Sequence, residues 1–254
     1  MSVAPKKRLL NLFMAMSMAA AVSVSAQAAT LTAGSPPSSA PTTFLNTQNG
    51  KIEGFMPDVA AEVARRQHLE MNFTAVPFPT LIQSVIAGKI DMIVAGMTPT
   101  PERAKRIGFS QPVTAFGAGL VVRDDNTKKY ASVQDLKGEI VGSMAGTDYT
   151  QSLMQSGIAK EVKVYDSPAD MTRDLSLGRI AAGMNDYPIL KAQVKAGGLK
   201  GMHVVEGYKP EHVSPMAFGV KKGNDKLLAE IDSALTAMKQ DGSLQTIKEK
   251  WGMP

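Results

Sequence analysis

Apolar positions along this chain come in short bursts, and the period of each burst predicts an element. Leu31 to Gly34 reads as a first strand, followed by a Pro/Ser-rich loop from Ser35 to Pro41. Gly50 and Gly54 bracket a turn. Val59 and Val63 then share a helix face, with Asp58 as a cap and an end near Gln67. Met71, Phe73 and Ala75 alternate as a strand. Leu81, Ile82, Val85 and Ile86 give helical spacing, which Gly88 ends. Ile90 to Ala95 is almost wholly apolar, as expected of a strand buried on both faces.

The same succession returns further on. Glu139 to Gly142 predicts a strand, with a helix from about Asp148. Asp166-Ser167-Pro168 opens another helix, carrying Met171 and Leu175 and stopping at Gly178. Gly178-Arg179-Ile180-Ala181 therefore echoes Gly88-Lys89-Ile90-Asp91, each a glycine, a basic residue and an isoleucine before a strand. Leu227, Leu228, Ile231, Leu235 and Met238 form the stripe of a helical tail over Asn224–Trp251, broken at Gly242. Strands alternating with helices predict an α/β protein with parallel sheets, and the echo predicts two similar lobes.

The first 28 residues stand apart. Lys6, Lys7 and Arg8 precede an apolar stretch from Leu9 to Val24, and Ala26-Gln27-Ala28 is a small-x-small cleavage pattern. The expectation is a signal peptide over 1–28, export, and Ala29 as the first mature residue. The apolar stretch falls short of the ~20 residues a spanning helix needs. Removal takes three bases and no acid, so the net charge of +5 falls to about +2, which gives no electrostatic case for nucleic acid. The chain has no cysteine and three scattered histidines, His68, His203 and His212. Thiol chemistry, disulfides and Cys-zinc sites are excluded, and neither metal nor cofactor is expected.

In open α/β sheets ligands bind beyond the carboxyl ends of strands, and three such ends carry chemistry. After Ile90–Ala95 come Gly96-Met97-Thr98-Pro99-Thr100-Pro101-Glu102-Arg103. Thr100, Pro101 and Glu102 mark a helix start. Arg103 on its first turn offers a planar donor fork to a carboxylate, unless it is simply a solvated arginine on a capped helix. Gly142 to Asp148 holds a Gly146-Thr147 pair entering a helix, which suits an anion or an ordinary strand–turn–helix. Asp186, at the third strand end, suits either a helix cap or a ligand ammonium.

Taken together, Gly88-Lys89-Ile90-Asp91, the stretch Gly96 to Arg103, and Phe109-Ser110-Gln111-Pro112 resemble the signature of bacterial extracellular solute-binding protein family 3. These are the amino acid-binding receptors of ABC importers. Gly54-Phe55, Val141-Gly142, Gly178-Arg179-Ile180 with Asp186, and the ending Asp241-Gly242-Ser243 to Trp251-Gly252 extend the resemblance over residues 30–254. It implies a two-lobed, type II, clam-like periplasmic binding protein with two crossover strands, near Val113–Leu120 and Ser214–Val220. Lobe one would comprise 29–115 and 216–254, and lobe two 116–215.

Position by position, the resemblance implies that Gly96, Thr98 and Arg103 hold the ligand α-carboxylate and that Gly146 and Thr147 close on it. Asp186 would hold the α-ammonium and Phe78 would pack on the ligand. It implies a monomer that delivers its amino acid to an inner-membrane ABC permease. Relatives on the same fold include cyclohexadienyl (arogenate/prephenate) dehydratases and sensory ligand-binding proteins. This sequence offers no obvious acid–base pair for the former, Asp148 and Glu211 being the acids that could sit near the cleft, and no enzyme is expected. The loop Ser35 to Ala40 lacks the family's acidic residue and aromatic, which disfavours a Lys or Arg ligand. Met144, where some relatives carry a charge, favours a small or apolar side chain.

Overall fold

The computed structural model describes Met1 and residues 30–254, so the expected signal peptide lies outside the described residues. The chain opens with β1 (Thr30–Ser35), then a small sheet of β2 (Ser38–Ser39), β3 (Thr43–Asn46) and β4 (Lys51–Glu53). Next come α1 (Phe55–Arg66), β5 (Glu70–Ala75), α2 (Leu81–Ile86), β6 (Met92–Met97), α3 (Pro101–Ala104), β7 (Ile107–Phe109) and β8 (Thr114–Phe116). The second sheet takes β9 (Ala118–Arg123), β10 (Ile140–Met144), β11 (Glu161–Tyr165), β12 (Ala182–Asp186) and β13 (Met202–Val204). Its helices are α4 (Asp148–Ser156), α5 (Pro168–Ser176) and α6 (Tyr187–Lys195). The chain then returns as β14 (Ser214–Lys221), α7 (Asp225–Gln240) and α8 (Ser243–Trp251).

Beside that small sheet stand two larger ones, with strand orders β5-β1-β6-β14-β7 and β11-β10-β12-β9-β13. Strand β6 is buried on both faces. Met92 and Val94 enter the core under α1 and α7, while Ile93 and Ala95 enter the core under α2. The strand begins two residues later than its apolar run predicts. Ile90 sits in the turn before it and packs inward at 2% exposure.

The sequence echo is a structural one. Gly88 and Gly178 both take φ +69, the left-handed conformation that ends a helix cheaply only in glycine. Asp91 N–H then bonds the Thr32 carbonyl and Ala181 N–H the Ile140 carbonyl, each at 2.8 Å. A Cβ on Gly34 would meet Ile90 Cδ1 at 2.6 Å, and one on Gly142 would meet Ile180 Cδ1 at 2.5 Å. Each lobe thus seats its isoleucine against a bare stretch of the neighbouring strand.

Helix α1 starts earlier than expected. Gly54, at φ +135, precedes Phe55, whose N–H bonds the Pro41 carbonyl, while Met56 N–H bonds Thr42. Pro57 needs no partner in the first turn. Asp58 is therefore inside the helix, and its carboxylate accepts from Trp251 Nε1 at 2.7 Å and from Lys250, tying α1 to α8.

The chain crosses from the first sheet to the second at Gly117, the one residue between β8 and β9. It crosses back before β14, whose first residues pair with β8 (Ser214 with Phe116, Met216 with Thr114). The two passages touch, since a Cβ on Gly117 would lie 2.4 Å from Pro210 Cγ. Among the described residues, no helix is long and apolar enough to cross a membrane.

Candidate functional site

Beyond the carboxyl ends of β1, β6, β10 and β12 lies a cavity of about 200 Å³ between the lobes. Of the seven residues singled out from sequence, Phe78, Gly96, Thr98, Arg103, Thr147 and Asp186 line it. Gly146 lies on its outer edge and enters through a hydrogen bond.

Arg103 is the hub. Thr100 caps α3, its hydroxyl accepting from Arg103 N–H at 3.3 Å with Pro101 at the first helical position, and this aims the side chain into the cleft. Nη1 donates to the Thr98 carbonyl at 2.8 Å, and Nη2 crosses the cleft to the Gly146 carbonyl at 2.7 Å. A guanidinium has five N–H groups, so three remain for a ligand carboxylate. Its carbon lies 5.9 Å from the centre of the Phe78 ring. Burial pushes its pKa down and Asp148 pushes it back; it stays charged.

Thr98 is 9% exposed, and the nearest partner of its hydroxyl is the Met216 sulfur at 4.0 Å. Such a hydroxyl beside Arg103 is poised for a carboxylate oxygen. Thr147 differs. Its hydroxyl donates to the Met144 carbonyl at 2.9 Å and caps α4 by accepting from Thr150 N–H at 3.3 Å. Its single hydrogen is thus committed, and the residue shapes the wall rather than offering a free donor.

Asp186 takes the N-cap position of α6, but its side chain makes no capping bond there. Its carboxyl is pushed up to about 7, first by burial and then by the neighbouring Asp148, with the Tyr149 hydroxyl pulling it down. Tyr149 is itself held well above the ordinary phenol range by burial and these carboxylates. It donates to Asn185 Oδ1 at 3.3 Å, and Asp186 N–H donates to the same oxygen at 2.8 Å.

Sequence reasoning missed several lining residues. Pro36, Pro37, Ser38 and Ser39 form one wall, with Pro77 and Pro79 beside Phe78. Asp166 reaches the cavity from the turn after β11. Tyr149 joins it from the first turn of α4 and Asn185 from the end of β12. Only the position of Tyr149 in a first helical turn, beside a strand end, was a local signal. Among the described residues, no group of His, Asp or Glu is gathered to hold a metal.

The profile of the bacterial extracellular solute-binding proteins, family 3, matches residues 31–254. The ABC transporter arginine-binding protein 1 of Escherichia coli (strain K12) is 29% identical over 80% of this chain and 83% of its own length. An ancestral arginine-binding protein, solved bound to glutamine, superposes with a TM-score of 0.80 at 34% identity, covering 89% of this chain and 98% of that one. An ancestral amino acid-binding protein described as a precursor of cyclohexadienyl dehydratase gives 0.78 at 28% identity, over 87% and 95%.

Proposed function

The chain belongs to the bacterial extracellular solute-binding proteins, family 3, and on that premise we propose that it captures an α-amino acid in the periplasm. The ligand passes to an inner-membrane ABC permease, and no bond is made or broken. The observation that carries the reading is the pairing of opposite charges across one cavity. Arg103, with three free donors and the Thr98 hydroxyl beside it, lines the same cavity as Asp186 from the other lobe. A zwitterion presents a carboxylate and an ammonium from one carbon, and that spacing suits two fixed poles better than a flat surface would.

In this reading Gly96 leaves the strand end open for the ligand. Gly146 and Thr147 complete the closed cleft, and Phe78 packs on the ligand's apolar part. Lobe one comprises 29–115 and 216–254, lobe two 116–215, and residues 1–28 are removed on export. The protein acts as a monomer. A thermal-shift screen against the twenty amino acids tests the reading. A true ligand at 100 times its Kd stabilises by about 2.7 kcal/mol; no shift from any amino acid overturns it.

One observation favours a second reading. Asp186, held near 7 beside Asp148, has the pKa of a general acid, and one structural relative is named as a precursor of a dehydratase. Incubation with prephenate decides this: release of phenylpyruvate would make the protein an enzyme, and unchanged prephenate leaves it a receptor.

A further inference from the structure

We propose that the ligand carries a second positive charge, on its side chain, and that Asp148 recognises it. The proposal rests on the amino acid reading above and narrows it to the basic amino acids.

The charged side chains lining the cleft are Arg103, Asp148, Asp166 and Asp186. A zwitterion brings one carboxylate for Arg103 and one ammonium for Asp186. Asp148 and Asp166 are then left over. Asp166 is exposed, where water and salt screen it. Asp148 is partly buried on the first turn of α4, and its side chain accepts a hydrogen bond from Ser214 Oγ at 3.2 Å. Its charged neighbour is Arg103, but a ligand carboxylate claims that guanidinium, so the cleft holds one carboxylate more than a neutral zwitterion balances. A ligand with a net positive charge supplies the missing partner, whereas a neutral one leaves two carboxylates sharing a single ammonium.

A place for the added charge exists beside the cleft. Asp148, Tyr149, Asp186 and Met216 are shared with a second pocket of about 50 Å³, set against the crossover segments. Phe116, Leu153 and Met184 make its walls apolar, and Glu211 adds a carboxylate, with His212 as its basic lining residue. A pocket lined by both apolar side chains and carboxylates suits an aliphatic stem ending in a cation. The acid that the loop Ser35 to Ala40 lacks is thus supplied by the opposite lobe, and the sequence argument against a Lys or Arg ligand loses its force.

Calorimetry on the purified protein with two isosteric pairs tests this: L-arginine against L-citrulline, and L-lysine against L-2-aminoheptanoic acid. At least one cation should bind about tenfold or more tighter than its neutral partner, as 1.4 kcal/mol of added pairing requires. Asp148→Asn should bring the pair within about threefold without weakening the neutral ligand. Asp148→Ser, which keeps a residue suited to a helix start, serves where Asp148→Asn does not fold. Equal affinity within both pairs, or preference for a neutral amino acid among the twenty, overturns the proposal and leaves the amino acid reading intact. A cation preference that survives both variants also overturns it. Binding of no amino acid at all overturns the reading beneath it.

Discussion

Arg103 reaches across the cleft to Gly146, its Nη2 lying 2.7 Å from the Gly146 carbonyl oxygen. The residue assigned to the ligand carboxylate therefore also staples one lobe to the other. On the proposed reading binding and closure would share one side chain, and a closed cleft would hold the guanidinium away from water, where its remaining donors would act more strongly.

Arg103→Ala should accordingly weaken amino acid binding by about 30-fold or more, because truncating one partner of a buried charge pair costs ~2–5 kcal/mol. Arg103→Lys should recover little, since an ammonium reproduces neither the fork nor the two carbonyl contacts. Calorimetry on both variants checks this, and near-wild-type affinity in the lysine variant would contradict it.

Closure itself is measurable. Small-angle scattering should give a smaller radius of gyration with ligand than without, the lobes moving about Gly117 and the segment before Ser214. An unchanged profile under confirmed binding would contradict the hinge.

The pH dependence has a definite sign. A protonated Asp186 cannot pair with an ammonium, so with its pKa near 7 affinity should rise about tenfold from pH 6 to pH 8. Asp186→Asn should flatten that rise. Stability of the ligand-free fold runs the other way. A carboxyl raised on folding contributes at low pH, and that contribution is lost as pH climbs from about 4 through 7. Asp186→Asn should therefore melt higher than wild type at pH 8.

Gly54→Ala should be strongly destabilising, by about 2–3 kcal/mol or more in chemical denaturation. At φ +135 a Cβ would stand 2.6 Å from the Thr42 carbonyl oxygen, backbone that cannot step aside.

What the sequence revealed follows from how local each signal is. Gly88 and Gly178 were legible because a left-handed glycine after a helix is set by its own turn. Thr98, Thr100 and Arg103 were legible because six consecutive positions bring them together. Asp58 was misread as a cap because its real partners, Trp251 and Lys250, come from the far end of the chain. Asp148 and Asp166 lie 18 positions apart and meet the cleft through two separate strand ends, and no spacing rule joins them to Pro36 and Ser39. Thr147 was recognised as a site residue, but the competing use of its hydroxyl in the α4 cap shows only in three dimensions.

The proposed function requires Arg103 and Asp186 to be two poles of one zwitterion site. Its most direct test is calorimetry of wild type and Asp186→Asn with the amino acid that shifts melting most, and with that compound's des-amino analogue. The wild type should prefer the amino acid, and Asp186→Asn should lose most of that preference while binding the analogue about as before. If Asp186→Asn weakens both ligands equally, Asp186 does not hold an ammonium and the two-pole site is contradicted.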